Sequence, residues 1–432
     1  MFLPTNIALN SSSASTPIRI CHNGSFASKG QVSLNSCMMT SSSGNRGLAD
    51  ILTTIRSQPF LAVGDLKKAY QQIFLGPVCR PYLKILHRRG GLGSGGEEQV
   101  LEARRLLFGI CKADTVNQFV NDKEVKEQVI RNSYTDNLHL LGKTKEEVLN
   151  HIKVCQEGME LRGFPVKNNE WVVNFPLNSK ADSNYNRSCE MMLLGIIYNS
   201  VEDSLAIKIN FNLSAWTRRG EKANDRVLNS RESVRREVEK GLTKRDVLSL
   251  MHSCYDPLSL LLTVHSSLKV LYHGLLLASP GLLWDQRVPQ EFDSRITALI
   301  SQIVQLERVQ VPRYIFQGFP EEEKRRLVLF ADGGLFGSTV KVYVVSHKLN
   351  YRKELVSALL MCRHKLPNNQ ALQNAPKLEA NALLMASRIA KKLKVELATI
   401  INEVLLATDS QLLINIIQGT SAAPGWGRWL RI

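Results

Sequence analysis

The spacing of apolar positions changes several times along this chain, and each change marks an element. Ile51 to Ile55 reads as helix, and Phe60 to Leu66 reads as a strand carrying an acid, Asp65, near its end. Gly90 to Gly96 is a glycine-rich loop tip, without the Lys-Ser/Thr that a phosphate-cradling loop needs. From Thr144 to Gly163 the pattern is that of an amphipathic helix. Thr144 and Glu147 have capping-box spacing, Val148, Ile152, Cys155, Met159 and Leu161 form one face, and Gly163 is the stop. Residues 201–211 alternate like a strand, and 243–310 turn mainly helical, with Thr243 capping a start and Asp256-Pro257 making a break. From about Arg326 the period shortens again. Val328 to Phe330, Val340 to Val345 and Leu355 to Cys362 predict three strands. Leu378, Ala382, Met385, Ile389 and Leu393 predict a helix opened by Pro376, Val404 to Thr408 a fourth strand, and Ser410 to Ile417 a last helix. The tail therefore runs β-β-β-α-β-α, and the whole chain predicts a multidomain protein of mixed α/β and α+β class.

With 432 residues there is room for two to four domains. The 44% apolar and 22% charged content is that of a globular protein, and residues 1–16, polar and rich in Ser and Thr, predict disorder. Charge changes the picture more. Lys and Arg number 55 against 39 acids, a net charge of +16 that suits a polyanion, nucleic acid first. Residues 216–245 alone hold ten basic and five acidic side chains, which fits either a solvated charged helix or a surface facing nucleic acid. The eight cysteines are scattered, without CxxC pairs or zinc spacing, so reduced thiols in an intracellular setting (cytoplasm or nucleus) are expected. The longest apolar stretch, Leu258 to Trp284, is interrupted by His265, Lys269 and His273, so no membrane partner is expected.

The chemistry concentrates in three acids of the tail. Asp332 follows the first strand, Glu379 opens the helix and Asp409 follows the fourth strand, spaced 47 and 30 residues apart. Two strand ends and a helix start can bring carboxylates to one point. Such acids repel one another, and their hard oxygens favour Mg²⁺ or Mn²⁺. Two such ions, roughly 3.5–4 Å apart, stabilise both the attacking and the leaving oxygen of a phosphodiester, which points to a nuclease. Arg363, Lys365, Lys391 and Lys392 are the candidates for backbone phosphate contact.

Phe330-Ala331-Asp332-Gly333, Pro376-Lys377-Leu378-Glu379 and Ala407-Thr408-Asp409-Ser410 resemble the ribonuclease H segment of Pao/BEL-type LTR retrotransposon polyproteins. Leu242 to Ser249, with Tyr255-Asp256-Pro257-Leu258, resembles the connection that precedes it, and Leu194-Gly195-Ile196 with Asp203-Ser204-Leu205 its opening strand pair. Upstream, Val63-Gly64-Asp65-Leu66 to Ile73 resembles the first motif of reverse transcriptase. Phe108-Gly109-Ile110 is similar to its Phe-Gly-Leu segment, and Tyr134-Thr135-Asp136-Asn137 to its Tyr-x-Asp-Asp. Arg19-Ile20 and Ser33 to Cys37 are similar to the fingers. The resemblance spans about residues 17–420. It implies reverse-transcriptase fingers and palm over 17–180, a basic, largely helical connection over 181–325 and a ribonuclease H-like mixed sheet with helices over 326–432. That last domain is expected to be truncated, because the family's fourth acid and last helix fall beyond residue 432.

By resemblance, Asp65 and Asp136 are polymerase metal ligands, and Asp332, Glu379 and Asp409 hold the metals of hybrid cleavage. RNA, DNA and RNA–DNA hybrid are the implied partners. The family's third palm acid is Asn137 here, a neutral and weaker ligand. Asn23 stands where an Asp is usual, and Cys111-Lys112-Ala113-Asp114 departs from the expected small polar residues and Pro. The expectation is a retroelement polymerase and ribonuclease H with a degenerate polymerase site. The alternative is an inactive nucleic-acid-binding or scaffold protein of the same descent.

Overall fold

The structure is a computed structural model that describes residues 2–9, 18–38, 46–88, 97–107, 122–167, 170–176, 185–186, 190–209, 211–213, 226–228, 230–306, 309–320, 324–334, 336–347, 355–367 and 374–419. The Gly90–Gly96 loop, the Phe108-Gly109-Ile110 motif and Cys111 to Asp114 lie outside those residues. Two compact units emerge, Met1–Gly47 with Phe60–Asn186, and Leu48–Pro59 with Arg187–Ile432.

In chain order the first unit holds β1 (Thr5–Leu9), a strand inside the segment expected to be disordered that is ordered by antiparallel pairing with β2 (Ile18–His22), and the short α1 (Leu34–Cys37); α2 (Leu48–Ile55) belongs to the second unit. The first unit continues with β3 (Phe60–Asp65), α3 (Ala69–Gln72), β4 (Lys84–Arg88), β5 (Glu98–Glu102), α4 (Lys123–Asn132), β6 (Asn137–Gly142), α5 (Lys145–Leu161), β7 (Trp171–Val173) and β8 (Tyr185–Asn186). Its main sheet has the order β6-β3-β7-β8, and β3 runs antiparallel to both neighbours. Strand β3 is buried along Leu61 to Gly64 because helices and Trp171 cover it. Gly64 is obligatory there, since a Cβ would lie 2.7 Å from the Trp171 ring. Helix α5 forms where its pattern predicts, with Val148, Ile152, Cys155 and Met159 buried, but Leu161, expected on that face, is 81% exposed, because two residues beyond Met159 a helix has turned to its opposite side. Thr144 Oγ1 accepts the Glu147 N–H at 3.2 Å, while Glu147 reaches one residue farther back than a capping box requires, to the Lys143 N–H.

The second unit opens with the hairpin strands β9 (Met191–Leu193), β10 (Ile196–Asn199) and β11 (Ser204–Ala206), followed by β12 (Phe211–Leu213) and β13 (Arg226–Leu228). The strand expected over 201–211 is shorter than its alternation suggested, because residues 200–203 form the turn, with Asp203 at φ 53°. Helices α6 (Arg231–Lys240), α7 (Lys244–His252), α8 (Leu262–Ala278) and α9 (Asp293–Leu306) share a core that includes Leu250, Leu271, Leu275, Phe292 and Ile300. Thr243 caps α7 in a full box, its Oγ1 accepting Asp246 N–H and Asp246 Oδ2 accepting Thr243 N–H at 2.9 Å. At the break before α8, the Asp256 carboxylate accepts the N–H groups of Leu260 and Leu261. Strand β14 (Gln310–Pro312) then completes a sheet of order β14-β11-β10-β9.

The tail folds as its pattern predicts. Strands β15 (Arg326–Gly334), β16 (Gly337–His347), β17 (Leu355–Lys365) and β18 (Glu403–Ala407) form a mixed sheet of order β17-β16-β15-β18, with β15 and β18 parallel. Leu327, Leu329 and Ala331 face α10 (Ala375–Glu396), and α11 (Gln411–Ile417) follows β18. The buried stripe of α10 is Leu378, Ala382, Ala386, Ala390 and Leu393. Met385 and Ile389, expected on that stripe, are only half-buried, because the alanines let the helix lie close to the sheet and turn the longer chains to its flank. Two arginines fix the end of α2, one against the β10–β11 turn and one against this sheet. Buried Arg313 pairs with Asp203 at 2.6 Å and donates to the Ile55, Gln58 and Pro59 carbonyls, and Arg56 donates to those of Leu359 and Leu360.

Candidate functional site

Three backbone features assemble the acids of the tail. Asp332 stands on β15, exposed, two residues beyond Phe330, which pairs in parallel with Ala407 at the end of β18. Asp409 lies two residues beyond Ala407, so the two aspartates stand at equivalent positions on adjacent chains. Glu379 is brought in by Gly333. A Cβ on Gly333 would lie 2.1 Å from Glu379 N and 2.5 Å from Glu379 Cα, so the helix backbone packs directly on the residue after Asp332. Ser338, paired with Gly333 across β16, anchors the contact by donating to the Leu378 carbonyl at 2.7 Å. The sheet and the first turn of α10 therefore bring all three acids to one end of the domain. Among the described residues none of the three forms an ion pair, and their carboxylate oxygens are not all within 4.8 Å of one another. An all-carboxylate set of this kind suits hard divalent cations.

A cleft runs beside this cluster between the ends of β16 and β17 and the flank of α10, lined by Ser338, Arg363, Lys365, Asn381, Met385 and Arg388 among others. Of the expected phosphate contacts, Arg363 and Lys365 line it. Lys391 is exposed, and Lys392 is taken up by Asp50 of α2 at 2.5 Å. Arg388 was not anticipated; its signal was helical spacing from Asn381 and Met385 on the same flank. His364, between Arg363 and Lys365, has its Nδ1 3.0 Å from Thr339 Oγ1. Burial, then the charges of Lys269 and His265, push its imidazole below the ordinary range.

The second acid pair lies in the first unit. Asp65 ends β3 and faces Asn137 across the antiparallel ladder, which places Asp136 beside it. The Tyr134-to-Asn137 turn is closed by reciprocal backbone hydrogen bonds of 3.0 Å, with Thr135 at φ 57°. The Asn137 amide donates weakly to Asp136 at 3.4 Å. Burial first, then the neighbouring Asp136, push the Asp65 carboxyl above the ordinary range, against the pull of Lys167 and Arg19. Burial also raises Asp136, against its own backbone hydrogen bond and the same two cations. Lys167 Nζ is 3.8 Å from Asp65. Sequence reasoning missed Lys167 because it is remote in sequence; the Leu66–Val166 bridge brings it to the acids. Such a site holds two carboxylates together with a cation of its own.

Residues 243–410 match the family described as Pao retrotransposon-like RNaseH-like domain. No curated protein matches the chain. Among solved structures, the chain is similar over its whole length to a foamy viral protease-reverse transcriptase in complex with double-stranded DNA, at 10% identity and a TM-score of 0.54. It is similar likewise to a foamy viral protease-reverse transcriptase in complex with RNA/DNA hybrid, at 12% identity and a TM-score of 0.51. It spans 63% of the first of those chains and 48% of the second. The strand order, the helix packed on Gly333 and these likenesses agree: residues 243–410 match the Pao retrotransposon-like RNaseH-like domain, and the chain has the multidomain fold of reverse transcriptase and ribonuclease H.

Proposed function

We propose that this protein binds RNA–DNA hybrid and cleaves its RNA strand at Asp332, Glu379 and Asp409. The observation that carries the reading is the backbone of Glu379 packed on Gly333, one residue from Asp332. A helix held that close to a glycine after a strand-end acid has its reason in bringing a carboxylate to that acid. The three acids would hold Mg²⁺ or Mn²⁺, which supplies an activated water and neutralises the leaving 3′-oxygen. Arg363, Lys365 and Arg388 are the groups for phosphates of the bound strand, and exposed Lys391 extends that surface. The 2′-hydroxyl is the feature by which such a site prefers RNA. The domains we assign are fingers and palm over 17–180, connection over 181–325 and ribonuclease H over 326–432, at work inside the cell. The six described cysteines are free thiols, and among the described residues no helix is long and apolar enough to cross a membrane.

The polymerase site at Asp65 and Asp136 is the degenerate one. Asn137 removes a charge, and Lys167 occupies part of the field that a dication would fill. A second reading, a binder without catalysis, draws on the carboxylate oxygens of the trio standing beyond 4.8 Å of mutual approach. Cleavage of a labelled RNA–DNA hybrid with Mg²⁺ or Mn²⁺ separates the two. Cutting that disappears with EDTA and with Asp332→Asn establishes the nuclease; hybrid binding by folded protein without cutting establishes the binder.

A further inference from the structure

Away from both acid sites, one cluster in the first unit joins two carboxylates and an imidazole from two helices. Glu124 stands in the first turn of α4, and Glu147 and His151 lie one turn apart on α5. The i,i+4 spacing turns both α5 side chains to the same face. One ligand atom from each of the three residues lies within 4.8 Å of the others. Carboxylates at helix starts are ordinary complements of the helix dipole, and alone they indicate nothing.

The histidine is different. His151 is only 3% exposed, yet its two ring nitrogens are treated unequally. Nδ1 lies 3.1 Å from the Leu141 carbonyl and 3.2 Å from Gln128 Nε2. Among the described residues Nε2 has no hydrogen-bond partner, and Glu124 Oε1 at 3.8 Å is too far to supply one. When Nδ1–H is donated to Leu141, the Nε2 lone pair points into the two carboxylates. A carbonyl on the far nitrogen is how a metal-binding imidazole is oriented and its tautomer set. Glu147 is braced as well, its Oε2 accepting the Lys143 N–H at 2.7 Å.

We propose that Glu124, Glu147 and His151 bind one divalent transition-metal ion of the zinc class, which clamps α4 to α5. One imidazole and two carboxylates suit zinc better than magnesium, whose sites are built from oxygen. The clamp sets the frame of the polymerase-like turn. Helix α4 ends at Asn132, whose carbonyl meets His139 of β6, and β6 begins immediately after Asp136.

The test is calorimetric titration of Zn²⁺ into the full chain in excess Mg²⁺, which fills all-oxygen sites. The Glu124 side chain is 70% exposed, so Glu124→Gln keeps the fold. That variant is expected to lose one zinc equivalent or bind it at least about 100-fold more weakly, beyond the usual cost of removing a supporting partner. His151→Gln does the same, whereas Asp332→Asn keeps the full zinc count. Zn²⁺ also raises the Tm of the wild-type chain and not that of Glu124→Gln. Equal zinc affinity and stoichiometry in wild type and Glu124→Gln overturns the proposal, as does full binding by a folded His151→Gln sample.

Discussion

The two acid sites solve the same electrostatic problem in opposite ways. Asp65 and Asp136 are half-buried, their carboxyls raised by desolvation, and the fold supplies Lys167 and Arg19 against their charge. Asp332 and Asp409 are exposed at adjacent chain ends, Glu379 is half-buried, and none is ion-paired among the described residues. The first site is partly neutralised by the protein itself, and the amide of Asn137 adds no further negative charge beside it. The second keeps its charge unpaired among the described residues. A carboxylate cluster therefore indicates metal demand only after the protein's own nearby cations have been counted.

The largest expected effect tests the second site directly. Asp332→Asn is expected to lower hybrid cleavage about 1,000-fold, roughly 4 kcal/mol of transition-state stabilisation, while hybrid binding persists. Cleavage rates under single-turnover conditions and a binding isotherm read the two quantities separately. Gly333→Ala comes next. Its Cβ collides with the Glu379 backbone, so a loss of about 3 kcal/mol in the stability of the second unit is expected in denaturant unfolding, with cleavage lost as well.

A pH effect of similar size marks the first unit. Burial holds His139 down to about 4, whereas an unfolded imidazole takes its proton near 6.5. The associated stability is complete above about pH 6.5 and falls by on the order of 3 kcal/mol as pH drops toward 4. Urea midpoints between pH 7 and 4 measure it, and His139→Leu is expected to flatten the slope.

Asn137→Asp sharpens the comparison. A third acid beside Asp65 is expected to tighten Mn²⁺ binding in the first unit by about tenfold, because ligand charge tunes affinity for hard cations. Unchanged Mn²⁺ affinity would show that Lys167, not Asn137, limits the site. The smallest effect belongs to Lys392→Ala, which removes the pair with Asp50. Less than about 1 kcal/mol is expected, seen as a small change in Tm with little change in hybrid affinity.

Local pattern was enough for the order β-β-β-α-β-α, the capping of α7 by Thr243 and the positions of all three tail acids, because side-chain period and turn chemistry are properties of short segments. It was not enough for Lys167 and Arg388, or for the retention of Lys392 by Asp50. Those pairings depend on segments far apart in the chain. Nor could period alone choose which stripe of α10 is buried. Ala386 and Ala390 win over Met385 and Ile389 because close helix–sheet packing rewards small side chains, a condition that exists only once the sheet is there.

The sequence by itself determined which residues carry charge, which stretches of the tail form strands and helices, and that glycine follows Asp332. Only the tertiary structure decided that Gly333 receives the backbone of Glu379, that Asp65 meets Lys167, and that the buried imidazole of His151 stands beside Glu124 and Glu147. The physical reason is range. Propensity and period act over a few residues, whereas the field at a carboxylate is set by every charge and every shielded surface within about 10 Å, wherever in the chain it comes from.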